Sequence, residues 1–148
     1  MTDAPLPPDV EIEIPPRPDY VALVRHVVGA TARLGELSRD VVDNAKLAVS
    51  EAATNAVTVT DRARSGEPVV VRAELEGDRM VVWVSDRGTP HEEQVVQGGD
   101  DSLNFSFERG LSLPLIDGLV DDLDISEREG GGTTVRMTLV GSALRTEE

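Results

Sequence analysis

Glu51 and Asn55 form the first candidate site, because they lie four residues apart in a segment with helical periodicity. Residues at this spacing are neighbours on one face of an α-helix, so a carboxylate and an amide would point the same way. An amide oxygen is a hard ligand that suits Mg²⁺. A carboxylate beside it could orient or deprotonate an attacking hydroxyl group. The pair is therefore compatible with Mg²⁺-assisted chemistry on a hydroxyl.

Asp86 and Gly88 form the second candidate site, at the end of a β-branched run over residues 80–85. Strand alternation places Asp86 on the same face as Val82 and Val84. A carboxylate at a strand end can accept a hydrogen bond from an exocyclic amine. A glycine two residues later lets a ligand approach the backbone.

Two further segments place glycine at the start of an element. Arg109, Gly110 and Leu111 open a predicted helix, where free N–H groups, the helix dipole and the arginine charge favour a phosphate. Gly131 and Gly132 lead into a predicted strand that begins at Thr133. The glycine-containing segments also have a purely structural interpretation, because the Asp-x-Gly sequence at 86–88 and the Gly-Gly sequence at 131–132 are of kinds that are common in turns. The polar stripe of the first site likewise suits the solvated flank of an amphipathic helix.

Hydrophobic periodicity predicts the elements that would position these residues. Gly35 is expected to end the first helix, Ser38 to cap the second, and Pro114 to lie in the first turn of the third. The order β-α-α-β-β-lid-α-β-β predicts an α+β two-layer sandwich, with a mixed sheet covered on one face by helices. The predicted strands are 10–14, 69–75, 80–85, 123–127 and 133–140, and the predicted helices are about 20–34, 39–59 and 110–119.

Two loops and one aromatic residue complete this prediction. Residues 61–68 are expected to form a polar loop, and the long polar segment 89–108 to form a lid. Trp83 alternates away from Asp86 on its strand and is predicted to lie in the core.

Length and composition bound the fold. A chain of 148 residues suits a single domain, which we predict over 10–141, with a disordered tail at 1–9 and a C-terminal tail at 142–148. Aromatic residues make up only 3%, so Val, Leu, Ile and Ala must build the core. The chain has no Cys, which excludes disulfides, thiolate metal sites and a cysteine nucleophile.

The net charge indicates which classes of macromolecule the protein can bind. Lys and Arg number 14 against 28 Asp and Glu, which gives a net charge of −14. Such a surface repels nucleic-acid phosphates, so no direct nucleic-acid binding is expected, and it suits a protein partner with a basic patch. The alternative is that the acidity serves solubility alone. No apolar run approaches the ~20 residues of a membrane span and no signal peptide is evident, so a cytoplasmic protein without membrane contact is expected.

Taken in order, the four segments resemble the GHKL (Bergerat-type) ATP-binding family, which includes sensor histidine kinases and anti-sigma-factor serine kinases. Residues 51–56 are similar to its N box, 84–88 to its first glycine box, 109–113 to its second and 131–137 to its closing Gly-Thr strand. Residues 14–25 also resemble the compact anti-sigma branch. The resemblance covers roughly 10–141 and implies a Bergerat-type fold.

The resemblance implies a role for each matching residue, with ATP and Mg²⁺ as the cofactors. Asn55 would hold Mg²⁺ and Glu51 would act as the general base. Asp86 would bind the adenine amine with support from Thr133, and Gly88 with the lid would surround the ribose and phosphates. The implied nucleotide-binding residues are Asn55, Asp86, Gly88, Arg109, Gly110, Leu111 and Thr133.

The activity implied by the resemblance is that of an anti-sigma-factor serine-protein kinase. Such a kinase sequesters an alternative sigma factor and phosphorylates a serine of a STAS-type antagonist. Proteins of this kind often form homodimers. The alternative is a non-catalytic regulatory module that binds a partner without phosphorylating it. Two departures from the family pattern favour that alternative: Val59 in place of a basic residue or His, and Thr89-Pro90 in place of a second glycine. Pro114 is a third departure, and the intact Glu51 and Asn55 pair favours the enzyme. A detached histidine-kinase catalytic domain is a third interpretation. It ranks below the other two, because no segment before residue 39 has the pattern of a dimerisation helix with a phospho-acceptor His in an acidic context.

Overall fold

The structure is a computed structural model that describes residues 9–88 and 112–141. The predicted lid lies outside these residues, as do the predicted phosphate contacts Arg109, Gly110 and Leu111. The predicted C-terminal tail and all but Asp9 of the predicted N-terminal tail are outside them too.

The described residues form three α-helices. A 3₁₀ turn at Pro18–Tyr20 leads into α1 at Val21–Leu34, α2 spans Arg39–Ala63 and α3 spans Ser112–Leu119. Ser38 caps α2 as predicted, since its hydroxyl accepts a hydrogen bond from the Val41 amide at 3.2 Å. Pro114 falls in the first turn of α3, where an amide donor is not required. No helix within 9–88 or 112–141 combines the length and the apolar character needed to span a bilayer.

Five strands form one sheet in the order β1-β2-β3-β5-β4. The α+β fold is therefore confirmed, but the sheet is not mixed, because every neighbouring pair among the described strands is antiparallel. The reason is that β5 returns from β4 as a hairpin and inserts between β3 and β4. The strands are β1 Val10–Ile14, β2 Val69–Glu76, β3 Arg79–Ser85, β4 Asp122–Glu127 and β5 Thr133–Val140.

The helices cover one face of the sheet, and the core between the two layers is aliphatic as the composition predicts. A stripe of alanines on α2 lets this helix lie close to β3. Trp83 was predicted to lie in this core, and that prediction is wrong. The residue is half-buried on the opposite sheet face, beside Arg79 and Arg136. The core side chains nearest the α2–β3 contact are Ala45, Ala48, Ala52, Ala56, Met80, Val82 and Val84.

Helix α2 runs about one turn beyond its predicted end near residue 59 and shortens the predicted 61–68 loop. Val59 and Thr60 are buried in this last turn, 8% and 0% exposed. Tertiary burial therefore sustains a turn that the polar sequence alone does not favour. The helix ends at Arg64, which adopts the left-handed conformation with φ of 55°.

Helix α1 ends where Gly35 predicts, but for a different reason. Gly35 has an ordinary φ of −82°, and the left-handed residue is Glu36, with φ of 60°. Glycine at 35 instead allows close packing, because a Cβ there would lie 2.6 Å from Cδ2 of Leu75 on β2 and that side chain would have to shift. The glycine thus serves helix–sheet packing and leaves the strained position to a glutamate.

Replacing Glu36 with glycine is therefore expected to stabilise the fold. The left-handed conformation costs an L-residue about 1–2 kcal/mol, and the greater entropy of glycine in the unfolded chain offsets part of that gain. We expect Glu36→Gly to raise the free energy of unfolding by about 0.5–1 kcal/mol in urea titrations. Glu36→Ala keeps the strain and serves as the control. Equal stability of the two variants would contradict the argument.

Candidate functional site

A cavity lies between α2, α3 and the inner face of the sheet, near the ends of β3 and β5. Its wall is mostly apolar, and Asn55 and Asp86 are its two polar members among the described residues. An apolar cavity with a few convergent polar groups is the usual form of a small-molecule site. The residues that line it are Ala52, Asn55, Ala56, Val84, Asp86, Leu113, Ile116, Ile125 and Val135.

Asp86 is only 3% exposed and is the buried charged residue within the described part of the chain. A buried carboxylate is costly unless hydrogen bonds compensate it. Its Oδ1 accepts from the Gly88 amide at 2.9 Å. Its backbone amide donates to the Thr133 carbonyl oxygen at 2.9 Å, and the Thr133 amide donates back to the Asp86 carbonyl oxygen at 3.3 Å. The two backbone bonds extend the β3–β5 pairing by one residue, and the bond from the Gly88 amide orients the carboxylate in the cavity wall.

Gly88 is buried where the chain leaves β3 and meets the end of α2. A Cβ at this position would lie 2.7 Å from Cγ2 of Val59 and 2.9 Å from the Val59 carbonyl carbon. The sequence suggested that this glycine admits a ligand to the backbone. The structure shows a further reason for glycine: α2 and the segment after Asp86 approach too closely for any side chain.

The turn between β4 and β5 folds over the same segment. Gly130, Gly131 and Gly132 all have positive φ values, of 88°, 107° and 101°. A Cβ on Gly132 would overlap the Asp86 carbonyl oxygen. Gly132 is therefore required as glycine, because only glycine combines this backbone angle with contact against the Asp86 carbonyl oxygen.

Two arginines join this turn to the segment after β3, and we call Arg87 and Arg128 the arginine pair. Arg87 Nη1 donates to the carbonyl oxygens of Glu129 at 2.6 Å and Gly131 at 2.7 Å. Arg128 Nη1 donates to the carbonyl oxygen of Asp86 at 2.9 Å. Burial and the positive charge of Arg87 lower the pKa of Arg128 from its ordinary value, against the opposing effect of the Asp86 charge.

Sequence analysis did not identify the arginine pair. A usable signal was present, because one arginine directly follows Asp86 and the other stands two residues before the Gly130–Gly132 run. The link between them depends on the β4–β5 hairpin inserting beside β3. No local pattern reveals that juxtaposition.

Asn55 and Glu51 lie one turn apart on α2, and both are half-buried at the edge of its alanine face. Asn55 lines the cavity together with Asp86, whereas Glu51 is not among the described residues that line it. The amide oxygen of Asn55 is suited to a hard cation such as Mg²⁺. Within 9–88 and 112–141, no group of three or more His, Cys, Asp or Glu side chains is placed to hold a metal ion.

Three of the four segments singled out in the sequence therefore meet around one cavity. Asn55 and Asp86 form its polar wall, and Thr133 pairs with Asp86 through the backbone. Thr133 is itself buried, at 3% exposed. The fourth segment, Arg109 to Leu111, belongs to the part of the chain that the structure does not describe.

Substituting alanine for Gly132 is expected to disrupt this arrangement. The new Cβ would meet the Asp86 carbonyl oxygen, and the residue would retain a left-handed φ. Strained backbone costs about 1–3 kcal/mol, so we expect Gly132→Ala to lower the free energy of unfolding by about 2 kcal/mol or more. Denaturant titration measures this change.

The matched control is Gly118→Ala in α3, where a Cβ meets nothing within 4 Å. A helical glycine replaced by alanine gains about 0.5–1 kcal/mol. The two glycine-to-alanine changes should therefore have opposite signs. If the Gly132→Ala protein is as stable as the parent, the turn does not pack closely against the Asp86 carbonyl oxygen.

Comparison with known proteins agrees with this geometry. A family model described as the histidine kinase-like ATPase domain matches residues 14–139. Similar curated proteins include the serine-protein kinase RsbW of Staphylococcus aureus strains bovine RF122 / ET3-1 and MRSA252. Each is 27% identical over 136 residues, which cover 87% of this chain and 84% of the relative.

A solved structure supports the fold. The crystal structure of the RsbU and RsbW domains of Rv1364c from Mycobacterium tuberculosis matches with a TM-score of 0.66 at 23% identity. The match covers 93% of this chain and 33% of that one. The family model spans most of the sequence and all three described segments of the cavity. The chain therefore belongs to the family of histidine kinase-like ATPase domains, as the order of its four segments predicted.

Proposed function

We propose that this chain is an anti-sigma-factor serine-protein kinase that binds Mg-ATP in the cavity between Asn55 and Asp86. In this proposal it phosphorylates a serine of a STAS-type antagonist and sequesters an alternative sigma factor in the cytoplasm, with a homodimer as its assembly. The similarity to proteins named serine-protein kinase RsbW supports the class of activity.

The observation that carries the proposal is the pairing of Asn55 and Asp86 across one apolar cavity. A purine ring is flat and largely apolar, so the aliphatic wall suits it. An adenine amine needs an acceptor, and the buried Asp86 carboxylate can serve as one, because a carboxylate accepts hydrogen bonds at about four sites. Asn55 stands on the opposite element, where it would meet the phosphate end of the nucleotide.

The donor chemistry at Asn55 fits Mg²⁺. This ion is commonly held by one or two protein ligands together with substrate phosphates, so a single amide oxygen is an adequate protein contribution. When bound, Mg-ATP supplies the phosphoryl group for transfer. Glu51, one turn before Asn55, would orient the serine hydroxyl and accept its proton. Arg109, Gly110 and Leu111 would contact the phosphates, and Gly88 and Thr133 would support the nucleotide from the sheet side.

The direct test incubates the purified protein with Mg-ATP and the STAS-type proteins encoded beside it. Phosphoserine on one of these proteins, detected by mass spectrometry, is the expected result. The Glu51→Gln variant serves as the transfer-deficient control. If no cognate STAS-type protein is phosphorylated, the kinase proposal fails.

A non-catalytic binding module is the second candidate function, and Val59 is the observation that favours it. The residue is 8% exposed and packs on Gly88, so this position of the family pattern offers an aliphatic side chain in place of a basic residue or His. A module of this kind would bind ATP and capture its partner without producing phosphoserine. The same incubation, with a pull-down of the sigma factor added, separates the two candidates.

The net charge of −14 leads to a prediction about association. An acidic surface attracts a basic protein surface over long range and repels nucleic-acid phosphates. We expect the association rate with the protein partner to fall by about tenfold or more between low and high salt. We expect no binding to duplex DNA at ~0.15 M salt. Surface plasmon resonance measures both, and tight binding to DNA at that salt would contradict the prediction.

A further inference from the structure

The arginine pair is not used by the proposed function, yet it contacts the residue on which nucleotide recognition depends. Arg87 and Arg128 connect two chain segments that are distant in sequence, the end of β3 and the β4–β5 turn. Each donates to backbone carbonyl oxygens of the other segment. The two connections run in opposite directions, so the turn and the strand end are joined at two points.

The hydrogen bonds around Asp86 show what this connection achieves. The Asp86 amide donates to Thr133, and the Asp86 carbonyl oxygen accepts from both the Thr133 amide and Arg128. Oδ1 accepts from the Gly88 amide. Both backbone groups and one carboxylate oxygen are thus held by partners from three segments, which leaves Asp86 little freedom to move.

Arg87 acts on the turn between β4 and β5. Gly130 to Gly132 have backbone angles that are accessible to glycine but not fixed by it, because glycine populates many conformations. Arg87 Nη1 bridges the carbonyl oxygens of Glu129 and Gly131, on either side of Gly130. This bridge adds to two backbone hydrogen bonds that close the turn, from the Gly131 amide to the Arg128 carbonyl oxygen and from the Arg128 amide to the Gly132 carbonyl oxygen. Together they hold one conformation of the glycine run, with Gly132 against the Asp86 carbonyl oxygen.

The arrangement has an electrostatic cost. Arg87 and Arg128 repel each other, and Arg128 is partly withdrawn from water. Two like charges are not expected to be brought together simply to close a hairpin, because Gly-rich turns close without them. The cost is understandable if the two cations fix the backbone that carries a functional carboxylate.

We propose that Arg87 and Arg128 are positioning residues that aim the Asp86 carboxylate at the amine of the bound purine. The inference rests on the proposed nucleotide site. Neither arginine needs to touch the nucleotide, because both act through the backbone of Asp86 and of the turn. Loss of either should therefore weaken discrimination by the purine amine more than it weakens nucleotide binding in general.

The experiment measures that discrimination with two nucleotides. Calorimetry of the full chain with ATP and with inosine triphosphate, which carries a 6-oxo group in place of the 6-amino group, gives a ratio of dissociation constants. We expect the parent protein to prefer ATP by about tenfold or more, as a charge-assisted hydrogen bond requires. We expect Arg87→Gln and Arg128→Gln each to reduce this ratio at least threefold.

Three further variants keep the test specific. Arg136→Gln, on the outer face of β5, removes an arginine that takes no part in the arginine pair and should leave the ratio unchanged. Arg128→Lys retains a cationic donor but loses the planar guanidinium geometry, so its ratio should fall between those of the parent and of Arg128→Gln. In an Asp86→Asn background, Arg128→Gln should have no further effect on the ratio, since the carboxylate it positions is gone.

The possible outcomes separate this inference from the proposed function. Failure of the parent protein to bind ATP overturns both. A parent that prefers ATP, with an unchanged ratio in Arg87→Gln and Arg128→Gln, overturns the positioning role alone. If the glutamine variants do not fold, the ratio for Arg128→Lys and Arg87→Lys decides. A value equal to that of the parent overturns the positioning role, and an intermediate value supports it.

Discussion

Glu51→Gln is expected to abolish most phosphate transfer while leaving ATP binding and capture of the sigma factor intact. The substitution keeps the shape and polarity of the side chain but removes the group that can accept the serine proton. Acid–base assistance of this kind contributes about 10²–10⁴-fold in rate, so single-turnover transfer should fall by about two orders of magnitude or more. Rapid-quench assays of phosphoserine formation and calorimetry with ATP measure the two quantities separately.

Two comparisons make this result specific to Glu51. Asp43→Asn removes a carboxylate from the exposed surface of the same helix, two turns earlier, and should leave transfer unchanged. Asn55→Ala removes the proposed Mg²⁺ ligand from the cavity wall and should impair both Mg-ATP binding and transfer. Transfer by Glu51→Gln at the parent rate would show that Glu51 is not the base.

Asp86→Asn is expected to weaken ATP binding by about 10- to 150-fold. The asparagine Oδ1 can still accept from the Gly88 amide, so the local fold should persist. The charged acceptor for the adenine amine is lost, and an NH₂ group can take its place against that amine. A charge-assisted hydrogen bond is worth about 1.5–3 kcal/mol, which corresponds to the stated change in affinity.

The matched control for this substitution is Asp124→Asn, on the exposed face of β4 that points away from the cavity. It removes the same charge from the same protein and should leave the ATP dissociation constant within about twofold of the parent value, since distant exposed charges are screened. Denaturant titration of both variants checks that their stabilities remain comparable. Unchanged ATP affinity in Asp86→Asn would remove the adenine-binding role from this residue.

The two substitutions should act on different quantities, because their positions differ. Asp86 lies deep in the cavity and is held by backbone partners, so its substitution should change affinity. Glu51 lies on α2 outside the described lining of the cavity, so its substitution should change the rate of transfer. A protein in which both variants lose only affinity would instead agree with the non-catalytic module.

Much of the fold follows from local sequence patterns. The strands over residues 133–140 and 10–14 coincide with their predictions, and β3 begins one residue before its predicted start. Alternation of β-branched residues and the Gly77-Asp78 turn are short-range signals, which a single sequence contains in full. The four polar and glycine-containing segments, and the helix spacing of Glu51 and Asn55, are likewise visible in the sequence alone.

Other features depend on contacts that no local pattern records. The sheet is antiparallel throughout its described strands because the β4–β5 hairpin inserts next to β3, and strand order is a non-local property. The last turn of α2 exists because Val59 and Thr60 are buried there. Trp83 lies on the outer sheet face because the helices pack on the other one.

The sequence by itself determined the family, since residue types and their order along the chain are enough to identify it, and it named the residues to which we assign the proposed chemistry. Only the tertiary structure decided how those residues are held. Packing against Val59 explains Gly88, and overlap with the Asp86 carbonyl oxygen explains Gly132. Hydrogen bonds from Arg87 and Arg128 to backbone carbonyl oxygens join the end of β3 to the β4–β5 turn. These contacts join residues far apart in the chain, and their energies depend on distances of a few ångströms that exist only after the layers have packed.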